Sequence, residues 1–162
     1  MKGTEAVVAS LKSSLGVLQM FLADLADADL LVRPVDGANH VAWQLGHLIV
    51  TERRLSAGNL AGATYPALPD GFEAQYTPQT AATTTGFATK ADYLDLLGKT
   101  RAATVAAVHQ LADADLDKPT QGPMAGFAPR LGDLLILVGN HTLMHAGQFS
   151  VLRRRLGKPV LF

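Results

Sequence analysis

Five histidines are the residues of this chain best suited to chemistry: His40, His47, His109, His141 and His145. His141-Thr142-Leu143-Met144-His145 has i,i+4 spacing. On a helix such a pair lies about 40° apart in azimuth and about 6 Å apart in rise, so both imidazoles can reach one ion. Helix-borne zinc pairs use the same spacing. Thr142 follows His141 where a metalloprotease motif would place Glu, so that motif is absent. Leu131, Leu134, Val138, His141, His145, Phe149, Leu152 and Leu156 form one helical stripe, which turns both histidines towards a core. Burying them without partners costs roughly 1–3 kcal/mol per unsatisfied group. Either a shared metal or hydrogen bonds to backbone or water must offset that cost.

His47 is the third candidate ligand. It lies in the mainly apolar run Trp43-Gln44-Leu45-Gly46-His47-Leu48-Ile49-Val50, where Gly46 permits close approach of a helix or ligand. His40 precedes this run and reads as a loop or cap residue. His109 falls in the last turn of another helix, where its cationic form suits the negative end of the dipole. Neither is assigned to the metal. Asp133 lies about 12 Å along the helix axis from His141 and is read as a surface residue or one behind the ligands.

The chain has no cysteine, which excludes disulfides, thiolate ligands and a cysteine nucleophile. Three imidazoles leave coordination positions open, as in catalytic rather than closed structural zinc sites. The donor set suits zinc, nickel, copper or iron. An ion there would lower the pKa of bound water to about 7, or hold an external thiol as thiolate. A thiol-dependent transferase, a metal-dependent hydrolase and a non-catalytic metal-binding, stress-associated protein all remain open on these residues. The spacings support neither a Ser-His-Asp triad nor a phosphate-cradling glycine loop.

Four helices must position these groups. The spacing predicts them over about 4–25, 41–57, 90–111 and 129–156. Asn39 is expected to cap the second and Gly58 to stop it. Pro129 is expected in the first turn of the fourth, with Gly157 and Pro159 ending it. A segment rich in Gly, Pro, Thr and Ala, from Asn59 to Thr89, joins the second helix to the third. Its Tyr65, Phe72, Tyr76 and Phe87 predict that it drapes over the bundle, as a crossover or as a pocket wall.

The sequence also repeats. Leu25-Ala26-Asp27-Ala28-Asp29-Leu30 recurs as Leu111-Ala112-Asp113-Ala114-Asp115-Leu116, an offset of 86 residues. Leu45-Gly46 and Leu131-Gly132 fall in the same register, as do Leu48 and Leu134. Two αα-hairpins related by a pseudo-twofold would build an all-α four-helix bundle.

Composition narrows the function. A length of 162 residues favours a single domain spanning 1–162. A formal net charge of zero gives no footprint for nucleic acid. Arg153-Arg154-Arg155 reads as a solvated helix end that complements the dipole. The N-terminus lacks a signal-peptide pattern, and the apolar run Leu134–Val138 is too short to cross a bilayer. A cytoplasmic protein with no membrane or nucleic-acid partner is expected. Near His47, Glu52 and Arg54 are candidates to orient a ligand or to form a surface ion pair. Gln148 is a candidate to line the pocket or support a ligand.

Trp43-Gln44-Leu45-Gly46-His47, then His141-xxx-His145-Ala146-Gly147-Gln148 and Leu152-Arg153-Arg154-Arg155-Leu156-Gly157-Lys158-Pro159, together resemble the DinB-like (DinB/YfiT) superfamily across nearly the whole chain. The resemblance implies a four-helix bundle of up-down-down-up order. It implies nickel, zinc or a similar ion on His47, His141 and His145. Trp43 is a further candidate to line the pocket or support a ligand. The resemblance also implies a small-molecule substrate, a low-molecular-weight thiol in the thiol-dependent S-transferase branch, and a homodimer.

Overall fold

The computed structural model describes residues 1–161. Four long helices make the frame: α1 (Gly3–Leu22), α2 (Val41–Ala57), α3 (Lys90–Val108) and α4 (Leu131–Arg155). No strand occurs among the described residues; an isolated bridge joins Pro119 to Arg130. The architecture is all-α, as the periodicity predicts.

The helix ends differ from expectation for local reasons. α1 stops at Leu22, because the repeated Leu-Ala-Asp-Ala-Asp-Leu segment folds as its own 3-10 turn, Asp27–Leu31. Its second copy does the same over Asp113–Asp117, so α3 ends at Val108. α2 is capped by His40, not Asn39: His40 Nδ1 accepts the Trp43 amide at 3.1 Å. α4 begins at Leu131, not Pro129. The backbone around Pro129 is diverted into the bridge, with Thr120 N donating to Pro129 O at 2.9 Å and Leu131 N to Lys118 O at 2.8 Å. At the far end Gly157 takes a φ of 67°, the left-handed conformation that terminates helices.

Cross-helix pairs set the directions. Arg153 near the end of α4 binds the carboxylate of Asp24 and the carbonyl of Phe21 at the end of α1, so α1 and α4 run parallel. Gly46 and Tyr93 flank Tyr76, while Glu52 meets Arg101 further along, so α2 and α3 run parallel. Gln44 meets His145 of α4, while Arg101 links Glu52 to the earlier Thr142, so α2 and α4 are antiparallel. The order is therefore up-down-down-up.

α1 packs chiefly on α4, and α2 on α3, with α1·α3 and α2·α4 completing the ring. Each sequence unit thus interlocks with the other. The pseudo-twofold is visible in the caps. Asp27 of the first unit accepts Lys90 N at the start of α3, at 2.7 Å. Its counterpart Asp113 accepts Thr4 N at the start of α1, at 3.0 Å. Each carboxylate satisfies an orphan amide and favours the positive helix end.

Leu11, Leu18, Leu22, Leu45, Ile49, Leu97, Phe149 and Leu152 are fully buried and form the core. Burying each such side chain contributes roughly 1.5–3 kcal/mol. α1 has the length and composition of a membrane span, yet its apolar stripe is taken up by the bundle. Arg153 corrects the reading of the basic run as wholly solvated. It is 3% exposed, because its guanidinium reaches back to Asp24 and Phe21.

The connection after α2 drapes over the bundle. Phe72 and Tyr76 enter the core, and Arg53 donates to Pro66 O at 2.6 Å. The Tyr76 ring lies directly on Gly46, where a Cβ would come within 2.1 Å of it. The segment also walls a cavity of about 560 Å³ against the start of α3, lined by Phe72, Tyr76, Phe87 and Tyr93 among others and not by the histidines.

Candidate metal centre

α2 and α4 run antiparallel, so His47 arrives opposite the His141/His145 pair. One ligand nitrogen from each of the three lies within 4.8 Å of the other two. His141 Nε2 and His145 Nε2 are 3.1 Å apart. Ring centroids are 5.1 Å apart for His47–His141 and 5.5 Å for His47–His145. His145 is buried; His47 and His141 are half-buried. An ion at their meeting point would therefore keep one side towards solvent.

The orientation of His145 is fixed. Gln44 donates its amide NH₂ to Asn39 O at 2.6 Å, which leaves Oε1 as an acceptor. His145 Nδ1 lies 2.6 Å from that oxygen and must carry the proton. The lone pair on Nε2 then faces His141 and His47. Outer hydrogen bonds of this kind orient metal-binding imidazoles. Trp43 stacks on His47 at 5.0 Å with planes 10° apart, limiting the swing of that ring.

Burial favours the neutral form of all three rings. It pulls the His47 pKa down to about 4, helped by the nearby charges of His141 and Arg54. It pulls His145 to about 3, with His141 and His47 adding to the effect. His141 is lowered by burial alone. Neutral rings with converging lone pairs are what a divalent transition ion requires. The donor set therefore fits such an ion.

The other histidines lie elsewhere. Both nitrogens of His40 are engaged, Nδ1 by the α2 cap and Nε2 by Thr83 O at 2.9 Å. His109 is exposed at the end of α3, and Asp133 pairs with Arg130 on the surface. Of the supporting candidates, Trp43 touches His47 directly. Arg54 instead forms an exposed ion pair with Glu73 at 3.0 Å. Gln148 is exposed. Glu52 is buried and bound to Arg101 at 2.9 Å. Gln44, which sequence reading passes over, supplies the contact expected of Gln148. Its only sequence signal is its place three residues before His47.

Residues 10–149 match the family model of the DinB superfamily. Two solved structures share the fold. One is a conserved protein from Enterococcus faecalis, 20% identical with a TM-score of 0.70, covering 98% of this chain and 99% of that one. The other is YfiT from Bacillus subtilis, 19% identical with a TM-score of 0.69, covering 96% of this chain and 89% of that one. It is described as "a probable metal-dependent hydrolase with an unusual four-helix bundle topology". No curated protein matches this chain in sequence.

Proposed function

The chain belongs to the DinB superfamily, and we propose that it is a metal-dependent enzyme whose ion is held by His47, His141 and His145. One observation carries this reading: three neutral imidazoles from two helices converge, with the His145 tautomer set by Gln44. The imidazole set suits zinc, nickel, copper or iron; of these, nickel or zinc is the proposed ion.

Three protein ligands leave room for an exogenous nucleophile. With no cysteine in the chain, any sulfur chemistry must use a thiol from solution. Bound there, the ion would hold such a thiol as its thiolate, ready to attack a small electrophile. The chain's own residues would present ligand lone pairs, fix ring orientation and exclude water on the buried side of the site.

A metal-dependent hydrolase is the second reading, favoured by the likeness to YfiT. Metal analysis of protein purified without added metal tests the shared part of both readings. Near-stoichiometric metal in the wild type, lost in His47→Ala, His141→Ala and His145→Ala, is the expected result. Unchanged metal content in all three variants refutes the assignment. Turnover of an electrophilic substrate only when a thiol is supplied selects the transferase, and turnover without thiol selects the hydrolase.

A further inference from the structure

The ion pair Arg101–Glu52 is the one pair among the described residues with both partners buried, at 2% and 3% exposure. Its hydrogen bonds are saturated. Arg101 Nε donates to Glu52 Oε1 at 2.9 Å and Oε2 at 3.1 Å, and Nη2 to Oε2 at 2.9 Å. Nη2 also donates to Thr142 Oγ1 at 2.9 Å. Nη1 donates to Leu11 O and to Ser14 Oγ, the latter at 3.0 Å. Glu52 additionally accepts from Thr104 Oγ1 at 2.7 Å. One guanidinium on α3 therefore binds α1, α2 and α4 together.

Two of those contacts fall on the helices that carry the histidines. Thr142 lies between His141 and His145 on α4, and Glu52 lies five residues after His47 on α2. We propose that Arg101 and Glu52 are positioning residues for the three histidines, holding α2 and α4 at the depth and register where His47 meets the other two. The inference rests on the metal reading above.

A buried ion pair is seldom a net source of stability. Its desolvation cost is repaid only with full hydrogen bonding, and apolar replacements are often as stable. Its geometry, in contrast, is exacting. A planar, bidentate guanidinium loses several bonds when a partner helix slides, whereas leucine contacts tolerate sliding. Leu45, Ile49, Leu134 and Phe149 supply cohesion without such a preference. The pair should consequently act on metal affinity more than on stability.

The experiment compares wild type, Arg101→Met/Glu52→Leu and Thr142→Val as metal-free proteins. Each is titrated with Zn²⁺ for affinity and with Co²⁺ for its ligand-field spectrum, and melted by circular dichroism. The double variant is expected to keep wild-type helix content and a cooperative melt, to bind Zn²⁺ at least tenfold more weakly and to change the Co²⁺ spectrum. Thr142→Val, which removes only the link to α4, is expected to lose a few-fold in affinity; it decides the matter if the double variant does not fold. Wild-type affinity and spectrum in the folded variants overturn the inference alone. A wild type that binds neither ion overturns the metal reading, and this inference with it.

Discussion

Gln44 on α2 accepts the Nδ1 proton of His145 on α4 at 2.6 Å, and so decides which nitrogen of that ring is free to bind a metal. The contact spans 101 residues of sequence and joins the two helices that carry the candidate ligands. The same glutamine is anchored by Asn39 O just before α2 begins. Ligand orientation on α4 is thereby tied to the start of α2.

Removing this acceptor should weaken metal binding while leaving the bundle folded. Gln44→Leu is expected to lose about 10–100-fold in metal affinity, the usual effect of removing an outer hydrogen bond to a ligand. Competition titration with a chromophoric chelator measures it. Affinity within twofold of wild type would show that the contact does not orient the ligand.

The pKa shifts predict how the metal-free protein responds to acid. His47 and His145 titrate from a usual value of 6.5 when unfolded, but near 4 and 3 when folded. Between those values the unfolded chain binds protons that the folded chain does not. The preference for neutral rings is therefore fully present above about pH 6.5; stability falls as the pH drops from there towards the folded values, where the decline levels off. Urea midpoints should decline from about pH 7 to pH 4, and His47→Phe should flatten that decline. An equally steep decline in the variant would sink the attribution to His47.

At Gly46 the connection presses directly on α2. A methyl group there meets the Tyr76 ring at 2.1 Å. Tyr76 cannot withdraw cheaply, since its hydroxyl bonds to that of Tyr93 at 2.6 Å in the core. Gly46→Ala should cost about 1–3 kcal/mol, as overpacking does. It should also disturb metal binding through the adjacent His47. A thermal melt within a degree of wild type would show that the connection shifts freely.

The pattern that carries the histidines could be read from sequence because it is local. His141 and His145 share a stripe with Leu134, Val138 and Phe149, and α4 buries that stripe as the spacing predicts, with His141 at its edge. The 86-residue repeat was equally legible, since each copy folds as a 3-10 turn with its own aspartate closing on the preceding alanine amide at 2.8 Å. His47 is a candidate from its apolar run beside Gly46, and the family resemblance implies it as a ligand; its meeting with the α4 pair is a property of the fold.

What only the tertiary structure decided lies between segments distant in the chain. Gln44 and Gln148 look alike in sequence, each three residues from a candidate ligand. Helix packing turns Gln44 inward onto His145 and leaves Gln148 exposed. Glu52 and Arg54 are alike in sequence as candidates to orient a ligand or to form a surface ion pair. Packing of α3 against α2 buries Glu52 beneath Arg101, while Arg54 meets Glu73 in solvent. Arg153 reads as a surface residue until Asp24 is brought beside it. The period of a helix fixes which residues share a face. Which partner that face meets depends on the crossing of helices many residues apart, and no local pattern encodes it.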